Sequence, residues 1–539
     1  MHRVLSAPSV LNTDFASLWQ QASLAHEAGD HARARQICEH LLGDPASALR
    51  ARWLLANIAL GGRDIAAALQ HAKQAASIAS ASPVHQRVAI SRLMITMGEF
   101  EGASHLLDRM RAEAPADGVL IAIGEQLSML ERHQEALDTL RLAQATGLRH
   151  PMLSFLLSST FRYLGDFEGA IEAAEETLRL QPHFAHAHWA MSQLGGMDGA
   201  PHRIDRIRLS IAALRDRHDA STPQMQSALS MLWHALFREL DAMDDRRAAW
   251  PALSRGLEIK HAVQPHDRVA EDGLFDRLSE TYTEDFVRPR PLRAERTTTP
   301  VFVVGLPRTG TTLVERIITN HSQVAACGEL NELQLLTKRR TGRWSQEFID
   351  AEIVDRLATA DLDTLGEEYL DSVAWRARGA RFMVDKHQSN FLLAGLILRC
   401  LPEARLIHVR RDPVDACFSN LKEPFAAHAY GYSNTQRDVA NHYRNYDRLM
   451  RRLHGVAGER ILEVRYEELV RDREGQARRM LDFIGLPMES GLEDISGNRT
   501  PVASASSVQV RAPIHDRNIG SWRRYAAELG ELQQALGGS

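Results

Sequence analysis

Residues 299–320, TPVFVVGLPRTGTTLVERIITN, restrict the fold of this chain more than any other stretch. An apolar, β-branched run at 301–304 stops at Gly305 and Pro307, and apolar residues resume at helical spacing from Leu313. The pattern predicts a buried strand, a tight loop and a helix, the opening unit of an α/β sheet. Glycines let the backbone come close to an anion, and the free N–H groups of the first helical turn point at it. The hydroxyls of Thr309, Thr311 and Thr312 add donors. The loop reads G-x-x-x-x-G-T-T, so Thr311 stands where a nucleoside-triphosphate loop needs the lysine that reaches the β- and γ-phosphates. The ligand expected here is an anion other than ATP or GTP.

With its arginine ahead of T-G-T-T, the loop Arg308-Thr309-Gly310-Thr311-Thr312 resembles the 5'-phosphosulfate loop of sulfotransferases, in particular the P-R-S-G-T-T form of the tyrosylprotein sulfotransferases. The resemblance extends over residues 299–525, about two-fifths of the chain. It implies 3'-phosphoadenosine 5'-phosphosulfate (PAPS) as donor and no metal. Cys327-Gly328-Glu329 matches the C-G-E in which that family places its catalytic carboxylate, and Glu329 follows Arg308 by 21 residues. An attacking hydroxyl must shed its proton as it bonds to sulfur, and a carboxylate within reach can accept it. Lys386, at the end of the strand-like run RFMVDK, is the counterpart of a family lysine acting on the transferring group. With Arg308 it would stabilise the charge that builds there. Glu332 reads as a surface residue.

The run RLIHVRRDP at 405–413 reads as another buried strand. The resemblance gives Arg411 and Ser419, eight residues apart, to the donor's 3'-phosphate, which an arginine fork suits by paired donors and a permanent charge. Arg410 should face elsewhere, because side chains alternate along a strand. Tyr466 in the run ILEVRYEEL matches a nucleotide-contacting tyrosine. The segment SSVQVRAP at 506–513 resembles the S-S-D-Q-V-x-K-P stretch that closes over the donor, so Ser506 would touch the sulfuryl group and Ser507, Gln509 and Arg511 the donor.

Three departures accompany these matches. Ser521 stands ahead of Trp522 where the family has a donor-binding lysine, which Arg517 or Arg523 would have to replace. Glu423, next to Lys422, stands where the family has an arginine. The family follows its carboxylate with arginines that read acidic residues around a target tyrosine, whereas this chain continues Leu330-Asn331-Glu332-Leu333. The acceptor is thus left open among a peptidyl tyrosine, a sugar and a small alcohol or phenol.

The N-terminal part is organised differently. Gly29, Gly62, Gly98 and Gly165 each precede an alanine by five residues (Ala34, Ala67, Ala103, Ala170), and Glu131 with Ala136 keeps the interval without the glycine. Successive spacings of 33, 36, 33 and 34 residues, with Pro45, Pro83, Pro115 and Pro182 between units, resemble the tetratricopeptide repeat. Five units are expected over residues 15–191. Each would bury its apolar face on its neighbours and build a concave surface suited to an extended peptide or protein partner.

The chain thus reads as a tetratricopeptide-like helical solenoid over 1–200, helices capping it over 201–295, and a P-loop-like α/β sulfotransferase domain with a parallel sheet over 296–539. A connector with prolines at 289, 291 and 300 leads into the last. A net charge of −5 argues against nucleic acid, and runs such as Lys338-Arg339-Arg340 and 448–452 read as solvated faces. Four unpaired cysteines point to a reducing compartment without disulfide or zinc. With no long apolar run, the reading is cytoplasmic and without membrane. Among 24 histidines only His387, beside Lys386, draws notice. The competing readings are an interaction scaffold whose transferase fold only binds nucleotide and, more weakly, a phosphotransferase.

Overall fold

The computed structural model describes residues 15–537 apart from 80–81, 114–115, 426–427, 496, 499, 504–506 and 512–514. Ser506 and Pro115 therefore lie outside the described residues. The chain forms two compact units, which part between Gln126 and Leu127.

The first unit is helical throughout its regular structure, with helices Phe15–Glu27, His31–Leu41, Ala48–Gly61, Ile65–Ile78, Val84–Thr96 and Phe100–Ala112. Small residues close its core, where Ala22, Ala34, Cys38, Ala51 and Leu54 meet. The repeat glycines mark turns: Gly29 and Gly98 adopt φ of 79° and 78°, a region that costs glycine little. An aspartate then starts the next helix, as when Asp30 accepts the Arg33 N–H (3.1 Å) and Asp64 that of Ala67 (3.0 Å).

The second unit begins with the same design. Gly165 turns at φ 89°, Asp166 accepts the Gly169 N–H at 2.9 Å, and Ala136 and Ala170 are fully buried. At the one unit without a glycine, Glu131 itself adopts φ 60°, uncommon for a residue with a side chain. The helices Ala200–Arg215, Pro223–Ala242, Arg246–Val263 and Arg268–Thr281 follow.

Five strands then build one parallel sheet: β1 (Thr299–Gly305), β2 (Val324–Ala326), β3 (Phe382–Asp385), β4 (Arg405–Arg410) and β5 (Ile461–Arg465), in the order β2-β3-β1-β4-β5. The α plus α/β architecture read from the sequence is present. β2 has only three residues and carries no strand signature. In β1, Val301 and Val303 enter one core with Val384, Ile407, Val409 and the helix Arg473–Ile484. Phe302 and Val304 point to the other face, into a core shared with Ile207, Leu236, Phe275 and Tyr282 of the preceding helices. A strand buried on both faces has to read as a continuous apolar run, as 301–304 does. The segment 201–295 thus extends the core on one side of the sheet, packing on the helices and turns that follow the strands. The order reverses around β1, so the loop after it opens at the switch point of the sheet, where α/β folds bind ligands.

Two charged residues read as solvated are buried. Glu332 is 3 % exposed beside Arg376 (3.4 Å), and Lys338 is 2 % exposed and donates to the carbonyls of Ser345 (2.9 Å) and Glu347 (2.7 Å). Among the described residues no helix is long and apolar enough to cross a membrane.

Tyr282 ties the helices to the segment that follows β3. It is fully buried, its hydroxyl donates to the Leu392 carbonyl at 2.7 Å, and its ring fills the space over Gly395, where a Cβ would come within 2.4 Å. Tyr282→Ala should cost about 3–5 kcal/mol in denaturant unfolding and Tyr282→Phe about 1 kcal/mol, whereas a loss below 1 kcal/mol for the alanine variant would show that this packing is dispensable.

Candidate active site

The loop after β1 is held open by its own backbone. Arg308 adopts φ 68°, and Gly310 φ 102° at the start of the helix Thr311–Thr319. A Cβ on Gly310 would come within 2.6 Å of the Tyr466 ring, so glycine lets Tyr466 lie on the loop. The Thr309 hydroxyl donates to the Leu306 carbonyl at 2.7 Å, so it braces the loop instead of serving as the free donor expected. Thr312 and Gly310 line the adjoining pocket together with Arg308, Arg411, Ser419, Tyr466 and Gln509.

Arg411 leaves β4 and turns into this pocket. Its guanidinium donates to the carbonyls of Arg308 (3.0 Å) and Asn518 (2.5 Å) and lies 5.0 Å from the Tyr466 ring centroid. Arg410 points elsewhere, to Asp447 (2.8 Å) and Glu463 (3.2 Å), as strand alternation requires. Arg308 donates to Gln509 (2.9 Å) and sits 3.4 Å from Glu423.

Two residues assigned to the donor face another way. Ser507 is fully buried and accepts from Arg162 (3.3 Å), while Arg511 donates to the carbonyls of Ser507 (3.0 Å) and Tyr163 (2.9 Å). These contacts fasten the segment carrying Gln509 to the helix Pro151–Leu164; neither residue lines the pocket. Arg517 and Arg523 are exposed and also lie outside it. Ser521 lines the pocket, with its hydroxyl on Asp415 (3.2 Å).

A second cluster, outside the lining of that pocket, is joined to the helix after the loop through Glu315. Lys386, at the end of β3, is 3 % exposed, with its Nζ 2.5 Å from Glu329 Oε1 and 3.8 Å from Glu315, which belongs to the helix Thr311–Thr319. Burial pulls the ammonium pKa down, but Glu329 and Glu315 outweigh it and hold it above the usual lysine range. For Glu329, burial pushes upward, yet Lys386 and His387 keep the carboxyl below its ordinary value. Burial holds His387 near 4, hence neutral at pH 7. Asp385, the aspartate ahead of Lys386, is buried and accepts from the Tyr369 hydroxyl (2.8 Å), a structural bond.

Glu131 was not foreseen in this cluster. From its left-handed turn it reaches the Cys327-Gly328-Glu329 segment and accepts the Glu329 N–H at 3.3 Å. Gly328 makes room for it, because a Cβ there would come within 2.0 Å of the Glu131 carboxylate. The only sequence trace of this contact is the missing repeat glycine. Aromatic rings gather nearby: Tyr430 stacks on Phe425 (4.6 Å) and accepts from Gln388 (3.2 Å), and His387 lies against Phe348 (4.9 Å).

Among the described residues, His408, His454 and Glu463 alone bring three potential metal-ligating atoms together. The two imidazoles already bond each other (3.1 Å) and Glu463 pairs with Arg410.

Comparison with known proteins points to the same part of the chain. Residues 300–490 match the model of the Sulfotransferase family. A protein from Aquifex aeolicus described only as uncharacterised is 28 % identical over 420 residues, covering 76 % of this chain and 53 % of its own length. Protein-tyrosine sulfotransferase 1 of Danio rerio is 23 % identical over 279 residues, covering 49 % of this chain and 77 % of its own, and protein-tyrosine sulfotransferase 2 of Gallus gallus is 22 % identical over 236 residues, covering 41 % and 62 %. The chain thus spans about half the length of the Aquifex relative. Among solved structures, the sulfotransferase domain of the Synechococcus PCC 7002 olefin synthase covers 44 % of this chain and 91 % of its own at 22 % identity and a TM-score of 0.32. The loop after β1, the paired Glu329 and Lys386, and the family match over the same residues identify a sulfotransferase domain in this chain, preceded by helical repeats.

Proposed function

We propose that this chain transfers a sulfuryl group from PAPS to a hydroxyl acceptor. The meeting of Glu329 with Lys386, joined through Glu315 to the helix after the anion-type loop at 308–312, carries this reading. In the proposed step the acceptor oxygen bonds to sulfur while the bond from sulfur to the bridging 5'-phosphate oxygen breaks. The acceptor proton passes to Glu329, and the products are a sulfate ester and adenosine 3',5'-bisphosphate. Glu329, held below the ordinary carboxyl range, is ionised at neutral pH and able to act as base. Lys386 and Arg308 neutralise charge on the sulfuryl and bridging oxygens, and Arg411, Ser419 and Tyr466 hold the nucleotide.

The rings of Tyr430, Phe425 and Phe348 around this cluster favour a flat acceptor, and a peptidyl tyrosine delivered by a peptide or protein partner on the repeats is the acceptor we propose. The pairing of Arg308 with Glu423 favours the rival reading, an interaction scaffold that binds nucleotide without turnover.

Calorimetry with adenosine 3',5'-bisphosphate, using ATP as control, separates these ideas from a phosphotransferase. Binding of the bisphosphate alone supports the donor class, whereas binding of ATP alone would overturn it. Glu329→Ala should lower turnover of labelled PAPS by about 10²- to 10⁴-fold while bisphosphate affinity stays within about twofold. Equal losses of both would remove Glu329 from the role of base. Arg411→Ala should act on the donor, weakening the bisphosphate about tenfold or more.

Glu131 sets a pH dependence of stability. Burial first, then Glu329 and Glu315, raise its pKa to about 7 against the pull of Arg376 and Lys386. A carboxyl raised on folding favours the folded chain when protonated, so this contribution is present below about 4.5 and is lost as pH rises through about 7. Glu131→Gln should therefore gain up to about 3 kcal/mol relative to the parent at pH 8 and little at pH 5. Equal effects at both pH values, read by thermal unfolding, would contradict the assignment.

A further inference from the structure

The pocket after β1 is lined not only by the sulfotransferase domain but also by Phe237, Arg238 and Asp241 from the helix Pro223–Ala242. Four cations face it, namely Arg238, Arg308, Arg411 and Lys422, against the carboxylates of Asp241 and Glu423. Both carboxylates are already engaged. Asp241 accepts from the Tyr525 hydroxyl (2.8 Å) and pairs with Arg524 (3.0 Å), and Glu423 lies 3.4 Å from Arg308.

Arg238 and Lys422 form no ion pair among the described residues. Arg238 uses one nitrogen, Nε, on the Ser192 carbonyl (3.0 Å), and its guanidinium carbon lies 5.8 Å from the Trp189 ring centroid. That support fixes the plane of the guanidinium and leaves the fork of terminal nitrogens without a hydrogen-bond partner among the described residues. Among the described residues the Lys422 ammonium lies over the Phe418 ring, 4.5 Å away. Burial, with Arg411, Arg308 and Arg238 as neighbours, pulls its pKa down to about 8 even though Asp241 opposes the fall. A gathering of like charges in a pocket is costly unless an anion completes it.

We infer that Arg238, with Lys422, forms the second half of the clamp on the donor's 3'-phosphate, a half contributed by the helices that precede the sulfotransferase domain. The inference rests on the PAPS reading above. Lys422 lies one turn beyond Ser419 at the end of the helix Pro413–Leu421, and Arg411, two residues ahead of that helix, lines the same pocket. An incoming phosphate would meet Arg411 and Ser419 together with Arg238 and Lys422. The two cations stand in for the basic residues that the family resemblance expects where this chain has Ser521 and Glu423. Arg517 and Arg523 lie outside the pocket and do not serve.

The test uses the full-length chain and calorimetric affinities for adenosine 3',5'-bisphosphate and adenosine 5'-monophosphate. Arg238→Met and Lys422→Met should each weaken the bisphosphate at least tenfold and leave the monophosphate within about twofold, so that the preference for the bisphosphate collapses. Arg238→Lys, which keeps the charge, should recover part of the loss, and thermal unfolding of each variant checks the fold. If Arg238→Met does not fold, Lys422→Met and Arg238→Lys still decide the matter. Unchanged bisphosphate affinity in the methionine variants, with Arg411→Ala still weakening it, would overturn this inference and leave the PAPS reading standing. Equal losses for both nucleotides would overturn the 3'-phosphate assignment, and failure of the parent chain to bind the bisphosphate would overturn the donor reading itself.

Discussion

The buried ammonium of Lys386 is the charge around which this fold is arranged. Taking a lysine out of water costs several kcal/mol unless partners surround it closely. Its partners come from segments far apart in the chain. Glu315 is on the helix after β1, Glu329 follows β2, and Glu131 stands beside Glu329 from a turn between repeat helices. Satisfying one cation therefore fixes the ends of β2 and β3, the helix Thr311–Thr319 and a helical turn in a single arrangement. The same arrangement lets a carboxylate and an ammonium share one small volume without either losing its charge.

Much of this was legible in the sequence, for identifiable reasons. A strand buried on both faces has to be apolar without alternation, and a loop that approaches an anion has to contain glycine, so β1 and its loop were readable. Arg411 and Arg410 were separable by strand alternation alone. The failures share a cause in non-local partners. Glu332 and Lys338 look like surface charges until Arg376 and the carbonyls of Ser345 and Glu347 come into view. Ser507 and Arg511 follow the family pattern by letter, yet their hydrogen bonds run to Arg162 and Tyr163. β2 was invisible because three residues cannot show a period.

The helices between the repeats and the first strand are more than a cap in physical terms. Phe302 packs on Tyr369 and β1 lies against the turn Gln388–Leu393, while Phe275 and Tyr282 pack on Phe391, Leu392 and Gly395, so these helices form an outer layer of the same core. Covering a parallel sheet on both sides is a general requirement of the architecture. In the outer layer, the helix Pro223–Ala242 reaches the edge of the pocket, where its polar side chains become available for chemistry.

Gly328 and Glu131 carry a last consequence. A Cβ at position 328 would meet the Glu131 carboxylate, although 197 residues separate the two, and φ of 83° at Gly328 independently favours glycine. Restoring glycine at the repeat turn would therefore not free position 328, whereas any side chain in the loop would expel the glutamate. A transferase cut out at residue 296 and grafted onto another carrier would leave this half of the fit behind. The sulfotransferase domain of this chain is thus not a portable module, and its repeats and its catalytic loop have to be exchanged together.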